Sequence, residues 1–202
     1  MSGRAATTTV IPGRAAMSVN DPGTSLPTGW RRARLLDLAT LGTGHTPSRK
    51  FATYWNGDIP WVSIPDARRA HGGVIHRTEQ RITELGLQNS SARLLPAGTV
   101  CLSRTASVGY VFKLGIAMAT SQDFVTWTCG DALLPDFLMR ALMGEGDDIR
   151  RFGKGSTHTT IYFPEVKALC IALPPLSEQR LIVARIDQQS ARSSKARDHL
   201  VR

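Results

Sequence analysis

The sequence has no apolar run that approaches the roughly 18 residues needed to span a membrane. Its first residues lack the apolar stretch of about 7–15 residues that secretory signals contain, so we expect neither a membrane anchor nor export. Cysteine is scarce: Cys101, Cys129 and Cys170 are odd in number, far apart and without a CxxC pair. This spacing argues against a disulfide scaffold and a zinc site. It predicts buried thiols in a protein of the reducing cytoplasm.

Motifs that carry enzymatic chemistry are missing as well. The sequence contains neither a methyltransferase cofactor loop nor an Asn-Pro-Pro-Tyr motif. Lys154 does not belong to a phosphate-binding P-loop, because Asp148 and Gly155 occupy positions that the pattern reserves for Gly and Ser or Thr. A nuclease metal site would have to join residues 65–66 to residues 165–167, about a hundred positions away. No HxxxH pair or GxSxG elbow occurs. We therefore predict a non-catalytic protein without metal or cofactor.

Positive charge is what the sequence has in excess. Lys and Arg number 25 against 16 Asp and Glu, which gives a net charge of +9. Basic proteins of this size commonly bind an anion, most often nucleic acid. The alternative is a basic surface without a dedicated partner. Charge alone favours nucleic acid.

The order of segments predicts an α+β fold with three parts. Residues 1–28 are rich in Gly, Pro, Ser and Thr and predict a disordered lead, within which Met17 is a second candidate start. Residues 29–175 predict a body of short strands and helices, and residues 176–202 a long closing helix. Within the body we expect a helix from Pro135 and a final strand before residue 174. The remaining expectations are a strand or short helix at 30–41, a strand ending in a turn at 59–67, a helix at 78–87, and strands at 99–103, 108–113 and 124–128.

The closing helix has a clear start and a fading apolar stripe. Ser177 is the predicted N-cap, and Leu176 and Leu181 are spaced as a hydrophobic staple. Leu181, Ile182, Val183 and Ile186 form a stripe over two turns, after which the seam turns polar. Two interpretations stay open. Either the first turns pack on the body, or the helix is a coiled-coil arm whose partner is another chain.

Four stretches in series resemble a known family. They are WNGDIPWVSIPD (55–66), LLPAGTVCLSRTASVGYV (94–111), MATSQDFV (118–125) and LPPLSEQRLIVARID (173–187). In this order and spacing they resemble one half of the DNA-specificity subunit of type I restriction-modification enzymes. The similarity extends from about Trp30 to the last residue.

The resemblance implies a function for the closing helix. In the family, two target-recognition domains, each followed by a long helix, read the two halves of a split DNA target. The helices also dock adenine methyltransferase subunits and, through them, a restriction subunit where one is present. One domain and one helix imply a half-length specificity subunit that forms a homodimer and reads a gapped inverted repeat in double-stranded DNA. The helix is shorter than the family implies, so a truncated fragment that docks on the modification subunit without reading DNA is the alternative.

Four loops supply side chains suited to phosphates and base edges. Those at 66–73 and 103–109 have a second interpretation, as a solvated basic turn and as a part of the fold or a general backbone contact. Trp55 and Trp61 are expected in the framework. The candidate DNA-binding residues are His45, Ser48, Arg49 and Lys50 in the first loop, Arg68, Arg69 and His71 in the second, Arg104 and Thr105 with Gln122 in the third, and Lys154, Ser156, Thr157 and His158 in the fourth.

Overall fold

The computed structural model describes residues 6–105, 107–155 and 159–200. Short strands alternate irregularly with short helices, so the predicted α+β class is confirmed. The strands are β1 (Ile11–Pro12), β2 (Met17–Val19), β3 (Arg31–Arg34), β4 (Ala39–Thr43), β5 (Trp55–Val62), β6 (Val74–Ile75), β7 (Gln80–Ile82), β8 (Val100–Ser103), β9 (Val111–Leu114), β10 (Ala119–Thr120), β11 (Phe124–Cys129) and β12 (Leu169–Leu173). The α-helices are α1 (Leu35–Leu38), α2 (Ile64–Ala70), α3 (Glu84–Gln88), α4 (Pro135–Gly144), α5 (Phe163–Lys167) and α6 (Leu176–Leu200), and 3₁₀ helices cover Ala52–Tyr54 and Gly146–Phe152.

Three sheets organise these strands. The largest has the order β4-β11-β8-β9-β6, the second β1-β2-β12-β3, and the third β10-β5-β7. Most neighbours are antiparallel, while β5 with β10 and β6 with β9 are parallel. The main core lies where α4 and α5 pack between the first two sheets, around the buried side chains of Trp127, Phe152 and Leu138. A smaller core around Phe112 and Phe124 lies beneath α2.

The predicted disordered lead is wrong for the segment around β2. Residues 17–19 pair antiparallel with β12, and Met17 and Val19 are fully buried in the main core. The strand is held at a second point by the buried carboxylate of Glu145. The lead is ordered here because it pairs with β12 and with Glu145. These partners lie some 130–150 residues further along the chain, so the local composition of the lead gives no sign of them.

Several local predictions are corrected as well. Residues 64–70 form helix α2 rather than a turn, because Ser63 and Asp66 make a capping box and Pro65 stands in the first turn. The helix predicted at 78–87 is a strand, β7, followed by the short helix α3. Residues 30–41 combine a strand, a helical turn and a second strand. The strands at 99–103, 108–113 and 124–128 are confirmed as β8, β9 and β11 within one to three residues.

The N-cap residue of helix α6 lies two positions before the predicted one. The N–H of Gln179 donates to the carbonyl of Pro175 (3.0 Å), so Pro175 and not Ser177 is the N-cap residue. Leu181 is 53% exposed, which excludes a tight staple with Leu176. The predicted division into a domain at 29–175 and a helix at 176–202 stays a prediction.

Candidate nucleic-acid interface

The loop after β4 is bound to the turn between β10 and β11. The backbone N–H of His45 donates to the carbonyl of Thr120 (2.9 Å). Thr46 Oγ1 donates to Gln122 Oε1 (2.6 Å), and both side chains reach the surface. Gln122, which sequence reasoning attached to the third loop, is therefore a neighbour of the first loop too.

Asp123 binds the third loop to the same turn. One carboxylate oxygen accepts from Thr105 Oγ1 (2.7 Å) and the other from Ser121 Oγ (2.9 Å). The backbone N–H of Arg104 donates to the carbonyl of Asp123 (2.8 Å). The carbonyl of Arg104 in turn accepts from the N–H of Ile161 (3.0 Å), at the end of the fourth loop. Hydrogen bonds thus link the described parts of 44–50, 103–107, 121–123 and 153–161 into one group of loops, which we call the loop face.

Arg104 lies where these segments meet, and its charge is poorly compensated. Its guanidinium carbon is 4.8 Å from the ring centroid of Phe163, and its Nε is buried without a hydrogen-bond partner among the described residues. Burial lowers the pKa of Arg104, and the charge of Asp123 opposes that shift. Both carboxylate oxygens of Asp123 already accept hydrogen bonds from hydroxyl groups. The arginine therefore carries a half-desolvated positive charge that makes no ion pair with the residues that the structure describes.

Arg49 is held at the other end of the first loop. Its guanidinium carbon is 3.5 Å from the ring centroid of Trp55, and Nη2 donates to Gln80 Oε1 (2.6 Å). Ser48 and Lys50, its neighbours in sequence, are exposed. The carbonyl of Ser48 accepts from Trp55 Nε1 (3.3 Å). Trp55, predicted for the framework, and Arg49, predicted for the DNA-binding surface, are therefore in direct contact.

The candidates on α2 and just after it make different contacts. Arg68 Nε donates to the phenol oxygen of Tyr110 (3.1 Å), whereas Arg69 forms ion pairs with the buried Asp66 and with Glu79. His71 Nδ1 accepts the N–H of Val111 (3.1 Å). The charge of Arg69 is thus compensated internally. These hydrogen bonds and ion pairs of the three side chains go to residues outside the loop face.

The fourth loop is described only in part. Lys154 Nζ lies 2.9 Å from Oε1 of Glu165, a side chain that is almost fully buried, and the backbone of Lys154 pairs with that of Thr160. Lys154 itself is mainly exposed. Ser156, Thr157 and His158 lie outside the described residues.

The first turns of α6 pack on the body. Ile182 and Val183 contact the main core, while Leu181 is exposed and Leu176 and Ile186 are partly buried. The predicted apolar stripe is therefore divided between the body and the free surface. A polar side chain that sequence reasoning overlooked, Gln179, is fully buried beside it.

Gln179 anchors the helix by three hydrogen bonds. Its Oε1 accepts the N–H of Leu134 (2.9 Å), and its Nε2 donates to the carbonyls of Ala132 and Pro174 (both 3.0 Å). Two turns later, Asp187 pairs with Arg140 of α4 (2.7 Å). The direction of α6 relative to the body is therefore fixed as far as residue 187. In the sequence, the glutamine of the Ser-Glu-Gln run at 177–179 was the signal that could have indicated this anchor.

The part of the chain that the structure describes holds no helix with the length and apolarity that a membrane crossing requires. It also holds no group of three or more His, Cys, Asp or Glu side chains arranged to bind a metal ion. The three cysteines are free thiols.

Comparison with known proteins establishes the family. The profile described as type I restriction modification DNA specificity domain matches residues 27–198, so the chain belongs to that family and the predicted resemblance is confirmed. The specificity subunit of the type I restriction enzyme MjaIX from Methanocaldococcus jannaschii is 29% identical over 159 residues, which cover 78% of this chain and 37% of that protein. The EcoR124I/EcoR124II specificity subunit from Escherichia coli is 27% identical over 152 residues, which cover 72% of this chain and 37% of that protein.

A solved structure has the same fold. The HsdS subunit from Thermoanaerobacter tengcongensis superposes with a TM-score of 0.69 at 21% identity, over 88% of this chain and 41% of that one. The chain therefore spans less than half the length of the specificity subunits it matches.

Proposed function

We propose that the chain is a DNA-recognition module of a type I restriction-modification system and that it binds double-stranded DNA with the loop face. Membership of the specificity family supports this proposal, as does the net charge of +9. The module performs no chemistry itself. It directs an adenine methyltransferase, and a restriction subunit where one is present, to a DNA sequence in the cytoplasm.

Arg104 is the observation that carries the DNA-binding part of the proposal. Burial of the guanidinium costs solvation of its charge, and no ion pair within the described residues offsets this cost. An anion that approaches the partly exposed Arg104 side chain offsets that cost by charge attraction. Arg69 differs, since Asp66 and Glu79 already compensate it.

Helix α6 is the element through which we expect partners to assemble. Beyond Asp187 the side chains of residues 188–192 are exposed, so this stretch of the helix is accessible to another chain. The modification subunit is one such partner, and a second copy of this chain is the other. Pairing of two copies makes the target a gapped inverted repeat.

A second candidate function follows from the division of the apolar stripe. Ile182 and Val183 are used on the chain's own core, and the seam beyond Ile186 is polar, which weakens a helix dimer. The chain would then dock on the modification subunit as a fragment that reads no DNA. The two candidates differ in whether the loop face binds DNA.

The test is the salt dependence of DNA binding by the wild type, R104Q and R34Q. A module that neutralises several phosphates loses affinity steeply with salt, by about 0.9 logarithmic units per phosphate per tenfold change in salt. We expect R104Q to bind more weakly and with a slope shallower by about 0.9. Arg34, already paired with Asp37 (3.0 Å), is the matched control and should leave the slope unchanged. Binding by the wild type that does not vary with salt would refute the proposal.

Methylome sequencing distinguishes the assemblies. Cells that co-express the chain with the cognate adenine methyltransferase should acquire N6-methyladenine in a gapped inverted repeat if two copies pair. An asymmetric gapped motif means that a different half supplies the second domain. No new methylation, with the two proteins co-purifying, favours the non-reading fragment.

A further inference from the structure

Arg49 is immobilised to a degree that is unusual for an exposed arginine. At 3.5 Å between its guanidinium carbon and the Trp55 ring centroid, only face-to-face stacking avoids overlap of the two planar groups. The hydrogen bond to Gln80 Oε1 (2.6 Å) then fixes the rotation of the guanidinium within that plane. The planar fork of the side chain is thus held in one orientation before any ligand arrives.

The aromatic support is itself rigid. Trp55 meets Trp61 edge-on with 5.2 Å between ring centroids, and Trp61 is only 4% exposed. The indole N–H of Trp61 donates to the carbonyl of His45 (3.0 Å), and that of Trp55 to the carbonyl of Ser48 (3.3 Å). The support is therefore tied to the same loop that reaches Gln122 through Thr46.

The chemistry of the Arg49–Gln80 pair is one-sided. Arginine has donors and no acceptor, so the oxygen of the Gln80 amide must be the atom that faces it. That oxygen accepts one hydrogen bond from Arg49, and the amide NH₂ of Gln80 adds a further donor. The guanidinium, which has no acceptor, consequently presents its remaining donors in a nearly fixed plane.

We propose that Arg49 and Gln80, supported by Trp55, read a guanine on its major-groove edge; this inference rests on the proposed function. Guanine presents two acceptors there, N7 and O6, which match a pair of donors. Adenine and cytosine each present an exocyclic NH₂, which the guanidinium, having donors and no acceptor, cannot bind, and thymine offers a single acceptor. The adjacent exposed Lys50 is a flexible point charge suited to phosphate, whereas the stacked fork is suited to planar recognition.

Selection from a pool of DNA duplexes with a randomised centre tests the assignment, with the wild type, R49K, Q80A and K50Q. R49K keeps the charge and removes the planar fork. Q80A removes the oxygen that orients the fork. For both variants we expect one guanine of the selected motif to lose its preference by roughly 5- to 150-fold, with the other positions retained. K50Q should weaken binding to all sequences alike and preserve the motif.

Each outcome bears on a separate claim. If the wild type binds no duplex, the proposed function fails. If the wild type selects a motif and R49K and Q80A select the same one, the inference is wrong even though the function stands. Loss of affinity on every sequence with a shallower salt slope would identify Arg49 as a phosphate contact and also overturn it. Thermal unfolding of R49K beside the wild type separates these results from misfolding, and R49K is the variant least disturbing to the stack.

Discussion

Replacement of Glu145 should reveal how firmly the N-terminal strand belongs to the fold. The Glu145 side chain is fully buried. Its carboxylate accepts the backbone N–H groups of Arg14 (2.6 Å), Ala15 (3.1 Å) and Met17 (2.9 Å). These bonds attach the segment that leads into β2 to Glu145, the residue that follows α4. Glu145→Ala removes all three acceptor contacts and leaves three backbone donors to find water.

The magnitude follows from the number and type of these bonds. Hydrogen bonds to a charged group contribute about 1.5–3 kcal/mol each, and neighbouring losses are not additive. We therefore expect Glu145→Ala to lower the free energy of unfolding by about 4 kcal/mol, which for a chain of this length lowers Tm by roughly 8–16 °C. Glu145→Gln keeps one acceptor oxygen and turns an NH₂ group toward one donor, so we expect about half that loss.

Thermal unfolding followed by circular dichroism measures both variants against Glu84→Ala, an exposed acid in α3 whose loss should stay within about 0.5 kcal/mol. Hydrogen exchange at the Met17 amide adds a local probe, since that N–H should exchange slowly in the wild type and fast in Glu145→Ala. A Tm of Glu145→Ala equal to that of Glu84→Ala, with the Met17 amide unprotected in the wild type, would show that the strand does not dock. The reasoning would then be refuted.

Two further predictions concern the thiols and the closing helix. Burial raises the pKa of Cys129 to about 12 and that of the fully buried Cys101 further still, so at pH 8 the reactive thiolate of Cys129 is roughly a thousandfold rarer than in a free cysteine. Iodoacetamide should label both thiols in urea, leave Cys101 unlabelled in the native protein and react only slowly with the partly buried Cys129, as mass spectrometry can report; rapid native labelling of Cys101 would contradict its burial. Deletion of residues 188–202 should weaken self-association or partner docking, measured by sedimentation or co-purification, because the body's contacts with α6 extend to Asp187. The same deletion should leave the thermal transition of the body nearly unchanged, and an unfolded product would argue against this division of roles.

Local signals were sufficient where an element is determined by its own residues. Helix α4 was predictable because Pro135 suits a first turn and the apolar positions that follow recur at helical spacing. The strands β8 and β11 were predictable because short apolar runs are bounded by turns. Helix α2 was mistaken for a turn although Ser63 and Asp66 already stood at capping-box spacing, so that signal was present and overlooked.

Elements that depend on distant partners were beyond local reasoning. The strand β2 has only three residues, too few to show a strand pattern in the sequence. Its order depends on pairing with β12 and on the carboxylate of Glu145. The capping residue of α6 was misplaced because two prolines precede it, and the backbone continues helically from the second. The first turns of the helix are then committed to the body by Gln179, whose partners lie before α4 and at the end of β12.

The sequence by itself determined the α+β class, the long closing helix, the excess of positive charge and the specificity family, because each of these depends on composition, periodicity or ordered motifs. Only the tertiary structure decided which cations remain available to a ligand. Arg69 and Arg104 look alike as basic residues beside a strand. Arg69 is neutralised by Asp66 and Glu79, while Arg104 lies over Phe163 beside a carboxylate that is already occupied. Compensation of a charge depends on neighbours in space, and folding brings those neighbours together from distant positions in the chain.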